Sequence, residues 1–456
     1  MIVTTANAAV GDVESRTTRK LRRRLLPLLF SLYVVAYLDR INIGFAALTM
    51  NAALAVTNTQ FGLLIGIFFW GYFIFEVPSN LLLHKVGARL WIARILITWG
   101  IVAMLTGAVH SVPQLFVARF LLGAAEAGFF PGIILYLTYW FPQHDQARVI
   151  SLFVTALPVA SIAGAPLSGF ILDHAHWAAI GSWRWLLFLE GIPAIVGGIL
   201  TYFLLPSRPA DAAFLTAREK CWIAAELAQE EQEKIGEHSL SALRALAHPR
   251  VWHLACALFA FDIGLYAMSF YMPQAVKALS SGYSNTAVGI LVMIPHLAGL
   301  MAMILISRSS DRKLERRYHA AIPIIVGGIA LILLGATSSL FLSLALWSFV
   351  AIGIYSFFGP FFSIPSKFLA GFSAASGIAL INSVGGLGGF VGPSAIGTLA
   401  GGTRGIYRGL ALAGISLFVS AALVLLLPLK GGAGEPDLRD PAPVPNAISP
   451  TPQTLP

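Results

Sequence analysis

The sequence predicts an all-α membrane protein with 12 transmembrane helices in two six-helix bundles. Three observations predict it. Of 456 residues, 57% are hydrophobic and only 11% charged, where a soluble chain carries about a quarter charged. Apolar runs of about 20 residues, the length that crosses a bilayer core, recur twelve times. One long polar stretch, residues 207–249, divides those runs six and six. A mean hydropathy of +0.78 excludes a water-soluble enzyme, and the 43 glycines and 25 prolines suit membrane helices. Two cysteines, Cys221 and Cys256, exclude a disulfide scaffold or a cysteine-based metal cluster. The net charge of +9 flanks apolar runs, so it reads as topology and not as a nucleic-acid surface.

The runs are 25–49, 61–83, 90–110, 114–141, 147–172 and 185–205, then 251–277, 285–307, 319–338, 340–366, 372–399 and 406–429. The ninth and tenth are separated only by Thr337-Ser338-Ser339, and the eleventh is dense in glycine. No cleavable signal is expected, because the first run is too long and no small-residue cleavage site follows it. With both termini inside, inner segments hold 24 of the 30 lysines and arginines, and such a bias sets orientation. The expected organisation is a basic cytoplasmic tail (1–24), a bundle (25–206), a cytoplasmic loop of surface helices (207–249), a second bundle (250–430) and a disordered tail (431–456).

The halves echo each other. Gly164-Ala165-Pro166 with Gly169 in helix five matches Gly392-Pro393 with Gly397 in helix eleven. Phe129-Phe130-Pro131-Gly132 in helix four matches Phe357-Phe358-Gly359-Pro360 in helix ten. Lys85-Val86-Gly87-Ala88-Arg89 after helix two matches the loop after helix eight, with Asp311, Arg312 and Glu315-Arg316-Arg317. Three echoes at equivalent helices argue for duplication. Two six-helix halves joined by a central loop are the plan of rocking transporters, with the site between halves near mid-membrane.

An ionisable group inside a span costs about 2.5–3.5 kcal/mol on insertion scales, so each marks a functional candidate. Asp39 and Arg40 in helix one are the strongest, 15 residues beyond Arg24 and hence about 22 Å into the bilayer. Adjacent side chains diverge by about 100° around a helix, so the pair cannot fully cancel. A structural ion pair is the competing reading, but Tyr37 and Asn42 add hydrogen-bonding groups suited to a polar cavity. Arg119 and Glu126 in helix four are seven apart, about 10 Å along the axis, so each needs a partner elsewhere. Small residues around Glu126 let a neighbouring helix approach closely. Tyr72 and Glu76 share a face of helix two, Glu76 in a structural role at the inner surface. The second half offers Tyr266, Tyr271 and Gln274 in helix seven, His296 in helix eight and Asn382 in helix eleven. A lone histidine such as His296 reads as packing, and Asp262 is an acid whose role stays open. No metal, phosphate-loop or triad pattern appears, and no cofactor is expected.

Tyr37-Leu38-Asp39-Arg40-Ile41-Asn42-Ile43-Gly44, Phe69-Trp70-Gly71-Tyr72, Glu76-Val77-Pro78-Ser79-Asn80 and Arg119 through Glu126 resemble the anion:cation symporter family of the major facilitator superfamily. So do Trp183-Arg184-Trp185 with Glu190-Gly191, Ser310-Asp311-Arg312 and Asn382-Ser383. The resemblance covers residues 22–430. Its bacterial members move tartrate, phthalate, sugar acids such as galactonate, and aromatic acids. Vesicular glutamate and sialic acid transporters are animal relatives. It implies that Arg40 holds the substrate carboxylate, that Asp39 and Glu126 couple protons, and that Tyr37, Tyr72 and Asn382 line the cavity. The glutamate transporters' second arginine in helix seven is missing, and Leu157-Pro158-Val159 stands where some sugar-acid members have a glutamine.

The functional expectation is therefore proton-coupled uptake of a small organic carboxylate by a monomer in the plasma membrane (the inner membrane in a bacterium). Arg40, Tyr37, Asn42, Tyr72, Tyr266, Tyr271, Gln274 and Asn382 would bind substrate, and Glu76, Arg119, Asp311 and Arg312 would serve as gating or structural charges. A proton-antiport exporter and a transport-dead nutrient sensor are the alternatives.

Overall fold

The computed structural model describes residues 2–235, 246–365, 371–401 and 405–427. Among them every regular element is helical, and twelve helices are long and apolar enough to cross a membrane. In the first half these are α1 Val13–Ala53, α2 Asn58–Leu83, α3 Ala88–Thr106, α4 Val112–Thr138, α5 Val149–His174 and α6 Ser182–Leu204. In the second they are α7 Pro249–Leu279, α8 Asn285–Lys313, α9 Arg317–Ala336, α10 Leu340–Phe362, α11 Ser376–Leu399 and α12 Gly405–Leu426. The expected disordered tail 431–456 lies outside the described residues, as do positions 236–245 of the central connection.

Local sequence sets the ends. Thr57 and Gln60 form a capping box at the start of α2, and Ser284 and Ser339 cap α8 and α10 through their hydroxyls, satisfying amides that no helix carbonyl reaches. Pro249 opens α7, where its missing N–H costs nothing. Gly87, at φ +92°, separates α2 from α3. Three spans are interrupted. Helix α4 breaks between Glu126 and Phe129, where Gly128 adopts φ +84°. Helices α5 and α11, the fifth of each half, break at Thr155 and Leu387.

Between the halves lies the helix Ala217–Ile235. Its start is tied to the other end of the chain, for Glu219 pairs with Lys20 at 2.7 Å and accepts from the Thr216 amide at 2.8 Å. At the end of α8, Asp311 accepts from Arg316 of the following loop at 2.5 Å while Arg312 stays exposed. Burial raises Glu315, but the Tyr318 amide and the His319 ring and amide outweigh it and hold the carboxyl below its usual range. A depressed acid contributes stability above its unfolded pKa of about 4.3 and loses it as pH falls through the folded value.

Packing explains which helices lie inside. Helices α3 and α6 pack on each other at the edge of the first half, and α9 with α12 at the edge of the second. The halves meet along α1 with α7, α2 with α11 and α5 with α8. Within the first half α2 and α4 touch almost backbone to backbone: a Cβ on Gly123 would lie 2.0 Å from the Phe68 carbonyl oxygen. Gly123→Ala must therefore push α2 off α4, at a cost of about 1–3 kcal/mol. Purified Gly123→Ala should unfold several degrees below the parent protein, whereas Gly282→Ala, with open space around it, should unfold with it. Equal unfolding temperatures would contradict the α2–α4 contact.

Candidate functional site

The most polar part of the interior lies where α1, α4 and α7 face one another. Arg40 leaves α1 toward α4 and forms an ion pair with Glu126. Glu126 is the last residue before the α4 break, so its carboxylate sits at a helix end within the membrane, the kind of discontinuity that transporter sites use. The Arg40 guanidinium lies 5.4 Å from both the Phe68 and Tyr72 ring centroids on α2. Cation–π attraction of this sort strengthens where water is excluded. The pair is buried, with 15% of the Arg40 side chain and 2% of the Glu126 side chain exposed.

Asp39 turns the other way, as the 100° step between neighbours requires. Its carboxylate accepts the Trp99 indole N–H at 2.6 Å, placing it between α1 and α3, inside the first half. Asn42 follows Asp39 inward. It reaches Glu190 on α6, which also accepts from Ser168 on α5 at 2.7 Å. Three residues on, its side chain shares the Asp39 face and not that of Arg40.

Arg119 is 1% exposed, 5.0 Å over the Phe68 ring, and its Nε and Nη2 have no hydrogen-bond partner among the described residues. It does not pair with Glu126, in keeping with the two-turn separation. Tyr37 meets Ser269 on α7 at 3.2 Å, a bond across the halves. Tyr266 packs edge-on against Phe69 at 4.6 Å, within the field of Arg40. Two expected ligands are otherwise engaged. The Tyr271 hydroxyl donates to the Pro393 carbonyl at 2.9 Å, and the Gln274 amide turns back onto Phe270 in its own helix. Glu76 and Asn382 are half-buried, and Asn80 donates to the Glu76 backbone carbonyl. His296 meets the Tyr355 hydroxyl at 2.9 Å, which donates onward to Ser161 across the halves.

One inter-half device escaped motif reading. Asp173, at the end of α5, accepts from the amides of Asn285 and Thr286 at 3.0 and 2.7 Å and from both their side chains at 2.9 and 2.7 Å. A carboxylate at a helix N-terminus is favoured by the exposed amides and the dipole. Beneath it Gly169 and Gly289 let α5 and α8 touch, since a Cβ on either would lie 2.2 Å from a carbonyl oxygen of the other helix. The sequence placed Asp173 in a loop beside a span, where nothing marks such a partner. A separate apolar cavity of about 760 Å³, lined by Met104, Leu105, Arg184, Trp185 and Phe188, opens between α3 and α6 away from Arg40.

Two halves joined along three helix pairs, with a buried ion pair inside the first, have the build of a multi-pass membrane transporter. The chain belongs to the Major Facilitator Superfamily, whose family model matches residues 29–393. It is 43% identical over 417 residues to an Agrobacterium vitis protein named "Putative tartrate transporter", covering 91% of this chain and 92% of that one. To the Acinetobacter baumannii "Quinolone resistance transporter" it is 37% identical, over 92% and 96% of the two chains. Among solved structures it resembles the D-xylose-proton symporter, with a TM-score of 0.71 over 91% of this chain and 98% of that one at 15% identity. A bacterial homologue of the human lysosomal transporter Spinster, inward-facing and unoccupied, gives a TM-score of 0.73 over 89% and 96% at 18% identity. At such identities the likeness concerns the fold alone.

The Asp173 contact should govern how tightly the α5–α8 end stays shut. In a chain with Cys221→Ser and Cys256→Ser, Asp173→Ala should raise several-fold the rate at which a Ser161→Cys thiol reacts with maleimide. An unchanged rate would show that glycine packing alone holds that end.

Proposed function

We infer that this transporter takes up a small organic carboxylate together with protons, by alternating access, as a monomer in the plasma membrane with both termini in the cytoplasm. The observation that carries the reading is the Arg40–Glu126 pair: a guanidinium between two rings, held by one carboxylate. Arginine's planar fork suits a carboxylate, so a substrate acid and Glu126 compete for the same cation. Protonating Glu126 frees Arg40 for the incoming acid, and the loaded, neutral site can pass through the closed intermediate. A negative-inside potential opposes a monoanion by about 2.3 kcal/mol per 100 mV, so net uptake needs a co-transported proton. The tartrate name of the Agrobacterium relative and the resemblance to anion:cation symporters support a carboxylate. Asp39, held by Trp99 inside the first half, is a second proton acceptor that α1 movement would expose or bury. With both termini inside, the end at which α2 begins is the external one, and the α2–α11 and α5–α8 contacts close it.

Export of a drug or metabolite by proton antiport is the second reading, favoured by the Acinetobacter relative. Direction separates the two. A proton gradient, acid outside, should load vesicles with L-tartrate, 4-hydroxybenzoate or gluconate under the first reading and empty them under the second.

Arg40→Lys keeps the charge but not the bidentate geometry, and transport should fall at least ten-fold. Normal transport by that variant would make Arg40 a packing residue.

Glu126→Gln mimics the protonated acid. Substrate should still bind and exchange across reconstituted vesicles, while accumulation driven by a pH gradient disappears. Loss of exchange together with accumulation, or unchanged accumulation, would refute the coupling role.

A further inference from the structure

The uptake reading uses Arg40, Glu126 and Asp39 and gives no task to Asp262, an acid of the second half. Asp262 lies on α7, 13 residues after Pro249 and 17 before Leu279, hence near the middle of its span. It is 8% exposed and makes no hydrogen bond among the described residues. A carboxylate so placed is expensive to keep inside a membrane. Taking a charge out of water without a partner carries a desolvation penalty that nothing repays. Retention of the acid therefore calls for a partner that arrives from elsewhere.

Its direction is set by its own helix. Asp262, Tyr266 and Ser269 are four and three residues apart and share one face of α7. Tyr266 packs on Phe69 of α2 and Ser269 on Tyr37 of α1, so this face looks across the inter-half boundary at the first half. On its other flank, Gly388 of α11 brings backbone close against the Asp262 Cβ. The cation in whose field Asp262 lies is Arg40, and Arg40 is already paired with Glu126. The polar centre thus has a guanidinium on α1 at one wall and, on α7 at the other, an acid without a hydrogen bond among the described residues.

We propose that Asp262 is a specificity-determining residue that accepts a hydrogen bond from a hydroxyl or N–H group of the substrate while Arg40 holds the substrate's carboxylate. The preferred solute is then a hydroxy or amino acid anion, gripped at the α7 side through its donor group. An acid that presents a second carboxylate there meets Asp262 as a like charge. A dicarboxylate with hydroxyls, such as tartrate, fits by turning a hydroxyl toward α7. The proposal rests on the carboxylate reading of Arg40 given above.

The experiment measures dissociation constants on the purified full-length protein for matched pairs: L-tartrate and succinate, 4-hydroxybenzoate and benzoate, gluconate and hexanoate. At least one hydroxy acid should bind about ten- to a hundred-fold more tightly than its deoxy partner, the range expected for a hydrogen bond to a charged group. Asp262→Leu should bind both members of that pair with the deoxy partner's affinity, and its ligand-free form should unfold at a higher temperature than the parent. Asp262→Asn, which keeps an acceptor oxygen, should retain part of the preference. A hydroxyl preference unchanged in Asp262→Leu overturns the proposal. So does loss of both ligands together with a lower unfolding temperature, the mark of a structural acid. If acids bind the parent with no hydroxyl preference, the proposal alone fails. If none of the six binds, the carboxylate reading fails and takes the proposal with it.

Discussion

A charge inside a bilayer has to find its counterpart within the protein, and the Arg40–Glu126 pair is where this chain meets that constraint most directly. Breaking such a pair by removing one partner typically costs 3–5 kcal/mol, because it strands the other charge. The pair therefore fixes the rotation of α1 against α4, and with it everything else that α1 carries. Asp39 is turned toward Trp99, Asn42 toward Glu190, and Tyr37 toward Ser269. One helix thus distributes polar groups to four different neighbours from a stretch of six residues, 37–42. The same interaction is also the one a competing anion would displace, so the constraint that orders the first half is also its point of sensitivity.

Around this centre, closeness between helices comes from missing side chains more than from added contacts. Gly123 sets α2 on α4, and Gly169 with Gly289 sets α5 on α8. In hydrocarbon, where apolar burial gives helices little reason to associate, backbone proximity of this kind supplies dispersion contact. At α5–α8 it also brings α8's first amides within reach of Asp173. A small-residue contact and an anion at a helix start, each modest alone, are stacked one above the other on the same helix pair.

The fold was legible because its cause is local: a span needs about 20 apolar residues wherever it lies in the chain, and twelve runs met that length. The breaks were less so. Gly128 sits among so many glycines that nothing distinguished it as the left-handed one, and the expected run 114–141 is two helical segments. At the site, the residue types and the divergence of Asp39 from Arg40 followed from helix geometry. Which partner each acquired did not. Trp99 and Ser269 are ordinary residues in ordinary spans, and only the tertiary approach of α3 and α7 brings them to Asp39 and Tyr37. Tyr271 and Gln274 show the converse: polar atoms in a span read alike whether they face a cavity, a neighbour's carbonyl or their own helix.

The discontinuity in α4 gives Glu126 a mechanical meaning. A charge change halfway along a continuous rod alters its surroundings, whereas one beside a left-handed glycine acts at a joint between two levers. The far lever, Phe129–Thr138, carries Tyr136, whose hydroxyl is bonded to the Pro206 carbonyl at 2.7 Å, where α6 gives way to the connection between the halves. On the uptake reading proposed above, occupancy of the central site would be transmitted as tilt, over the length of one short helix, to the segment between the two bundles.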